Sequence, residues 1–210
     1  MGDTPDKIFE QEKEALKFLE RDFNQCFQQM RHYDSQIFDI LRFMFTAYTA
    51  LIGLALGLYQ VGLKLSQDFT LPAIVALAVG LLLGLFMFAL SVRTRVYFVQ
   101  VARYINEQRG FFFQFFVPLG FSNKSDMYTK PDQPPYFNWK SSQAWFTYII
   151  AGLNSTLLGV LLFISFPGKN KWCYLWFCAL LLFIVQLIFA IIFLKSRENK
   201  NTSESVVEKG

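Results

Sequence analysis

Four long uncharged runs constrain this chain more than any other feature: Phe43–Leu63 (21 residues), Phe69–Val92 (24), Ser141–Gly168 (28) and Trp172–Leu194 (23). A bilayer core of roughly 30 Å needs about 20 apolar residues at a 1.5 Å rise, so each run is long enough to cross it. In hydrocarbon only helices and closed barrels satisfy their own backbone, and Leu/Phe/Ala-rich runs without alternation are not barrel strands. The expected fold is therefore all-α, an integral membrane protein with four transmembrane helices. With 53% hydrophobic residues, the chain is too apolar for an ordinary soluble domain.

Charge then sets orientation. Seventeen of the twenty Lys and Arg residues fall in 1–42, 93–140 and 195–210, against Lys64, Lys169 and Lys171 in the two short loops. The positive-inside rule places both termini and the long middle segment in the cytoplasm. Arg42, Arg93, Arg95, Lys195 and Arg197 mark the places where helices leave the membrane, as anionic headgroups favour. The pI near 8.9 is thus a membrane signature, and no nucleic-acid partner is expected. The first 36 residues hold no apolar signal-peptide core, and Asp6 breaks the myristoylation pattern. Cys26, Cys173 and Cys178 make no disulfide framework and are expected as free thiols. Asn123-Lys-Ser and Asn201-Thr-Ser match the glycosylation pattern by chance on this topology.

The organisation follows. Residues 1–42 form a cytoplasmic helix, started by Thr4, Pro5 and Asp6, with a three-four stripe of Leu16, Leu19, Phe23, Cys26, Met30, Tyr33, Ile37 and Ile40. Such a stripe argues for coiled-coil-like helix–helix packing. No Pro or Gly separates it from the first span (43–63), so one helix can run from about 5 to 63. The second span (69–92) continues as a helical pattern to Arg109, with Tyr97, Val101, Tyr104 and Gln108 on one face. A short loop makes the two spans antiparallel neighbours, extended together as a cytoplasmic hairpin.

Within 93–140 follows a Phe-rich tip, Phe111, Phe112, Phe113, Phe115 and Phe116, then a Pro-rich return linker. The tip has three readings: burial against the same chain or another copy, docking of a cytosolic protein, or contact with the headgroup layer. The third span occupies 144–166 and the fourth 172–194. Trp139, Trp145, Trp172 and Trp176 serve as interfacial anchors, and a disordered cytoplasmic tail covers 195–210.

Chemistry-bearing motifs are sparse. His32 is the only histidine and has no clustered Cys, Asp or Glu around it, so no catalytic, metal-binding or cofactor-binding residue is assigned and no enzyme is expected. The spans carry no charge, which argues against proton-coupled transport or voltage sensing. They do carry small-residue pairs, Gly53 with Gly57 and Gly80 with Gly84, that let helices approach closely within the hairpin or between copies. Gln60, Asn154 and Gln186 are the polar residues costliest to leave in lipid, and they either bond between helices or line a polar pathway.

The order of these parts, a hairpin Phe43–Val92 flanked by cytoplasmic helices, resembles the small multi-pass bacterial effectors of anti-phage defence, the SLATT group among them. The resemblance is architectural, covers about half of the chain and carries no sequence motif; the second hairpin departs from the two-span members. It implies a bacterial inner-membrane location and a homo-oligomer that perforates the membrane under control of its cytoplasmic helices. The alternative is a membrane-anchored scaffold that docks a cytosolic partner through the hairpin. The lipid bilayer is a partner in either case.

Overall fold

The computed structural model describes residues 5–65, 68–116, 129–166 and 172–207, with the side chains of 5–9, 11, 12, 115, 116 and 200–207 left aside. They form four helices: α1 (Pro5–Leu65), α2 (Thr70–Phe116), α3 (Ser142–Ser165) and α4 (Trp172–Val207). All four contain a stretch long and apolar enough to cross a membrane. The fold is all-α in its described residues, as the uncharged runs require.

The boundaries follow from local chemistry. α1 is unbroken because nothing between Asp6 and Tyr59 lacks a backbone donor, and its glycines stand only inside the apolar stretch. Asp68 starts α2 by accepting the Thr70 N–H at 2.9 Å. Hydrogen bonds from the Thr70 side chain and then its backbone hold the Asp68 carboxyl below the ordinary carboxylate range. α3 begins at an extended Ser141 whose side chain accepts from the Ala144 N–H at 3.2 Å.

Two helices outrun their sequence-based limits. α2 passes through Gly110 to Phe116, where the helical pattern was expected to stop at Arg109. A single glycine costs only about 1 kcal/mol in a helix, less than several flanking helix-compatible residues restore. α4 continues through Lys195–Val207, assigned from the sequence to a disordered tail. That stretch holds neither Pro nor Gly, so nothing in it stops a helix already nucleated upstream.

The chain divides into two compact units. The first contains Met1–Ser35 and Val96–Pro135. Here Leu19, Phe23, Cys26, Met30 and Tyr33 of the predicted stripe are half-buried, while Leu16 is exposed. Tyr33 stacks on Tyr97 at 5.9 Å between ring centroids, and the Arg109 guanidinium lies 5.6 Å from the Phe23 ring centre. Asp22 accepts from the Tyr104 hydroxyl at 2.7 Å and from Gln108 Nε2 at 3.0 Å. On another face of α2, Val99, Ala102 and Ile105 are buried, and the return segment lies along it. Asn106 Nδ2 donates to the carbonyls of Gln133 (2.7 Å) and Lys130 (3.3 Å), and Arg103 Nε donates to that of Pro134 (3.1 Å). A return linker without its own ladder thus has its backbone acceptors satisfied by helix side chains.

The second unit contains Gln36–Arg95 and Tyr136–Gly210. Its interior is built from all four helices, with Met44, Leu77, Val92, Ile150 and Leu157 each almost wholly buried. Its exterior is as apolar as its interior: Leu82, Phe86, Phe177, Leu180 and Ile192 are among many large side chains more than half exposed. A water-soluble domain does not present such a surface, whereas lipid tails are as apolar as Leu.

Candidate functional site

Two clusters of buried polar side chains stand out in the second unit. The first lies in the middle of the apolar helices. Tyr48 of α1 donates from its hydroxyl to Asn154 Oδ1 at 2.6 Å, with the Gly80 carbonyl a further 3.3 Å acceptor. Asn154 Nδ2 donates to Gln186 Oε1 (2.7 Å) and to the Gly84 carbonyl (3.2 Å). Gln186 Nε2 reaches the carbonyls of Leu182 (3.3 Å) and Ala151 (3.4 Å). Tyr48, Asn154 and Gln186 are all buried. One hydrogen-bonded chain therefore runs through side chains of α1, α3 and α4 and the backbone of α2.

Glycine makes the arrangement possible. A Cβ at Gly84 would overlap the Tyr48 hydroxyl and Asn154 Oδ1, and one at Gly80 would sit 2.6 Å from Leu51 Cδ1. The small-residue pair of α2 is thus the floor on which two polar side chains reach backbone carbonyls. Each donor and acceptor in the chain has a partner, so burial carries little penalty while the set is complete. Removing one member strands another in a medium where an unpaired amide or hydroxyl costs several kcal/mol. The cluster joins helices; it holds no acid, base or nucleophile poised near neutral pH.

The second gathering surrounds Arg95. Although this residue was expected to face lipid headgroups, it is turned inward and only 7% exposed. Its Nε donates to the Tyr136 carbonyl at 3.2 Å and its Nη1 to Gln143 Oε1 at 2.7 Å. Tyr136 in turn donates its backbone N–H to Glu198 Oε2 at 2.9 Å. The inward turn has a clear reason: the guanidinium fork meets two oxygens fixed by the end of the return segment and the first turn of α3. Arg42, Arg93, Lys195 and Arg197 are exposed, as the headgroup reading requires.

Of the predicted polar-pathway residues, the structure brings Asn154 and Gln186 together and leaves Gln60 apart. Gln60 is exposed on α1 and makes no hydrogen bond among the described residues. It shares its helix face with Gly57, Gly53, Ala50 and Thr46, at spacings of three and four, and every one of these is exposed. A Cβ at Gly53 or Gly57 would meet nothing within 4 Å among the described residues. The two glycine pairs therefore differ: Gly80 and Gly84 are filled within the chain, and Gly53 and Gly57 are open.

In the Phe-rich tip, Phe111 is exposed and Phe112 and Phe113 are half-buried, whereas the side chains of Phe115 and Phe116 lie outside the described residues. Residues Lys13, Leu16, Lys17, Glu20, Phe23, Arg109, Phe112 and Phe113 border a groove of about 560 Å³. His32 is exposed on α1, 6.2 Å between ring centres from its neighbour Tyr33. Sequence reasoning missed Asp22, Asn106 and Gln143 as polar contacts. A single Asp, Asn or Gln carries no periodic signal, so only the fold reveals its partner.

Among the described residues, fold and polar clusters together define an all-α arrangement of four helices able to cross a membrane, locked to one another by an internal polar chain. No protein family, no curated protein and no solved structure matches the chain.

Proposed function

We propose that this chain is an integral membrane protein that assembles from several copies and forms, or gates, a permeation path, with its cytoplasmic helices controlling assembly. The observation that carries the proposal is the open face of α1. Thr46, Ala50, Gly53, Gly57 and Gln60 make one small and polar stripe, and it is exposed in the single chain. By contrast, the exposed faces of α2 and α4 are large and apolar, as lipid-facing surfaces are. A free carboxamide in hydrocarbon costs several kcal/mol, so Gln60 belongs against protein or water. Small residues along the same stripe suit close approach by a helix of another copy. Outside the membrane, the exposed Leu16 and Phe18 supply apolar surface for the same assembly.

In this reading both termini face the cytoplasm, on the strength of the Lys and Arg distribution. The architectural resemblance to defence effectors agrees with it but adds no residue-level support. Substituted cysteines test the path. In a background lacking the native cysteines, Gln60→Cys should react with a membrane-impermeant thiol reagent, whereas Gly53→Cys at the contact between copies and Ile184→Cys on the apolar face of α4 should not. Equal protection at all three positions would sink the permeation reading.

A second reading draws on the groove at Leu16, Phe23, Phe112 and Phe113, whose border carries Lys13 and Lys17. Its apolar floor and cationic border suit an acidic, apolar segment of a cytosolic protein, which would make the chain a membrane-anchored scaffold. Under that reading, Phe112→Ser abolishes partner recovery and leaves membrane insertion unchanged.

A further inference from the structure

The four helices of the second unit meet at one end. Phe38 of α1 packs edge-on against Phe146 of α3, with 4.6 Å between ring centroids. Arg95 of α2 reaches Gln143 of α3, and Glu198 of α4 accepts the Tyr136 N–H just ahead of α3. Around this end Arg42, Arg93, Lys140, Lys195 and Arg197 are all exposed. In the segments that carry them (36–42, 93–95, 136–142 and 195–199) the carboxylates are Asp39 and Glu198, and Glu198 already serves Tyr136. The opposite end has Lys64 and Asp68 among the described residues, and their charges cancel. The positive field is thus concentrated at one end of the unit.

What lies beside the cations points to their partner. Arg42 is followed directly by the exposed Phe43, and Lys195 stands one turn beyond Ile192, which is more than half exposed. Trp139 and Trp145 flank Lys140, and both are more than half exposed. Tyr148 joins them, with 6.2 Å and 5.9 Å between its ring centroid and theirs. Indoles favour the headgroup level of a bilayer. Cations, then indoles, then bare apolar side chains repeat the order of a phospholipid read from headgroup to chain. An acidic protein or a nucleic acid would match the cations and leave the apolar band in water. A zwitterionic lipid would match the band and offer the cations no net charge.

From this arrangement we infer that the cationic rim of the second unit binds the headgroups of anionic phospholipids and selects them over zwitterionic ones. The inference rests on the membrane reading above and names the lipid class that such a reading leaves open. Each Lys or Arg near an anionic lipid surface strengthens the attraction about fivefold, so a few exposed cations suffice for marked selectivity.

The test is native mass spectrometry of the full-length protein in a mild detergent, titrated with phosphatidylglycerol or phosphatidylcholine of identical acyl chains. Alkaline carbonate washing of its membranes runs alongside. The wild type should resist carbonate and bind phosphatidylglycerol at least about tenfold more tightly than phosphatidylcholine. Lys140→Gln/Lys195→Gln/Arg197→Gln, three exposed changes, should reduce that preference to about twofold or less, and Lys64→Gln should leave it unchanged. Free glycerol phosphate should not displace the lipid. Carbonate extraction of the wild type overturns the membrane reading and this inference with it. Carbonate resistance with equal binding of the two lipids overturns the inference alone, whatever the variants do. So does an undiminished preference in the triple variant, or displacement by glycerol phosphate, which would make the ligand a soluble anion.

Discussion

The two glycine pairs of the apolar helices have the same spacing and opposite surroundings. On α2, Gly80 and Gly84 are buried beneath Leu51, Tyr48 and Asn154, and any added carbon collides with them. On α1, Gly53 and Gly57 face open space among the described residues. A small-xxx-small pattern states only that something can come close. Which partner does so is decided by the residues one turn away. Next to α2's pair stand side chains that need carbonyl acceptors, whereas α1's pair continues into Gln60, which makes no hydrogen bond among the described residues.

The largest contrast should come from enlarging one glycine in each pair. Gly84→Leu forces Tyr48 and Asn154 out of the core, and no folded protein is expected from it. The milder Gly84→Ala should lose about 3 kcal/mol, from overpacking and disrupted hydrogen bonds, as a lowered thermal midpoint in detergent. By contrast, Gly57→Leu should leave the stability of the single chain within about 0.5 kcal/mol of the wild type. A stability loss of similar size in both would erase the distinction.

Smaller effects should follow within the polar chain. Asn154→Leu strands the Gln186 carbonyl and should cost about 1–3 kcal/mol. Adding Gln186→Leu should then cost little more, or restore part of the loss, because the second change removes the stranded group. Additive losses in denaturation of the double variant would show that the two amides do not act as one unit.

The smallest effects belong to the first unit, where polar contacts are partly solvated. The Asp22 hydrogen bond, together with slight burial, raises the Tyr104 phenol above the ordinary tyrosine range. Being raised, this group stabilises the fold fully below its unfolded pKa, and the contribution disappears as pH rises through the folded value. The Asp22–Tyr104 contact should thus fail only in the alkaline range, and Asp22→Asn should bring the tyrosinate absorbance transition to lower pH. Burial and the Asp22 charge also raise the Cys26 thiol, in that order. Asp22→Asn should therefore speed alkylation of Cys26 at neutral pH, by a modest factor because burial is the larger cause.

The elements were more legible in the sequence than their contacts. Four uncharged runs define the spans because hydrocarbon tolerates nothing else, and the break-free stretch from Asp6 to Tyr59 permits one long helix. Asn154 and Gln186 were recognisable as residues that must find partners. That each finds the other, with Tyr48 alongside, depends on the rotation of three helices, which composition does not encode. Arg95 misled for a similar reason: a cation at the end of a span usually meets headgroups, but here Gln143 and the Tyr136 carbonyl stand within reach. The continuation of α4 past Leu194 was hidden because a charged, polar stretch reads alike as a tail or as an exposed helix.

The central claim is that the open face of α1 joins copies of the chain. It is tested most directly by the subunit number of the purified protein, measured by light scattering corrected for detergent, for the wild type and for Gly53→Leu/Gly57→Leu. The account predicts a wild-type ring of four or more copies and its dissociation in the double variant with the thermal midpoint of the single chain preserved. A monomeric wild type, or an assembly indifferent to both substitutions, would contradict it.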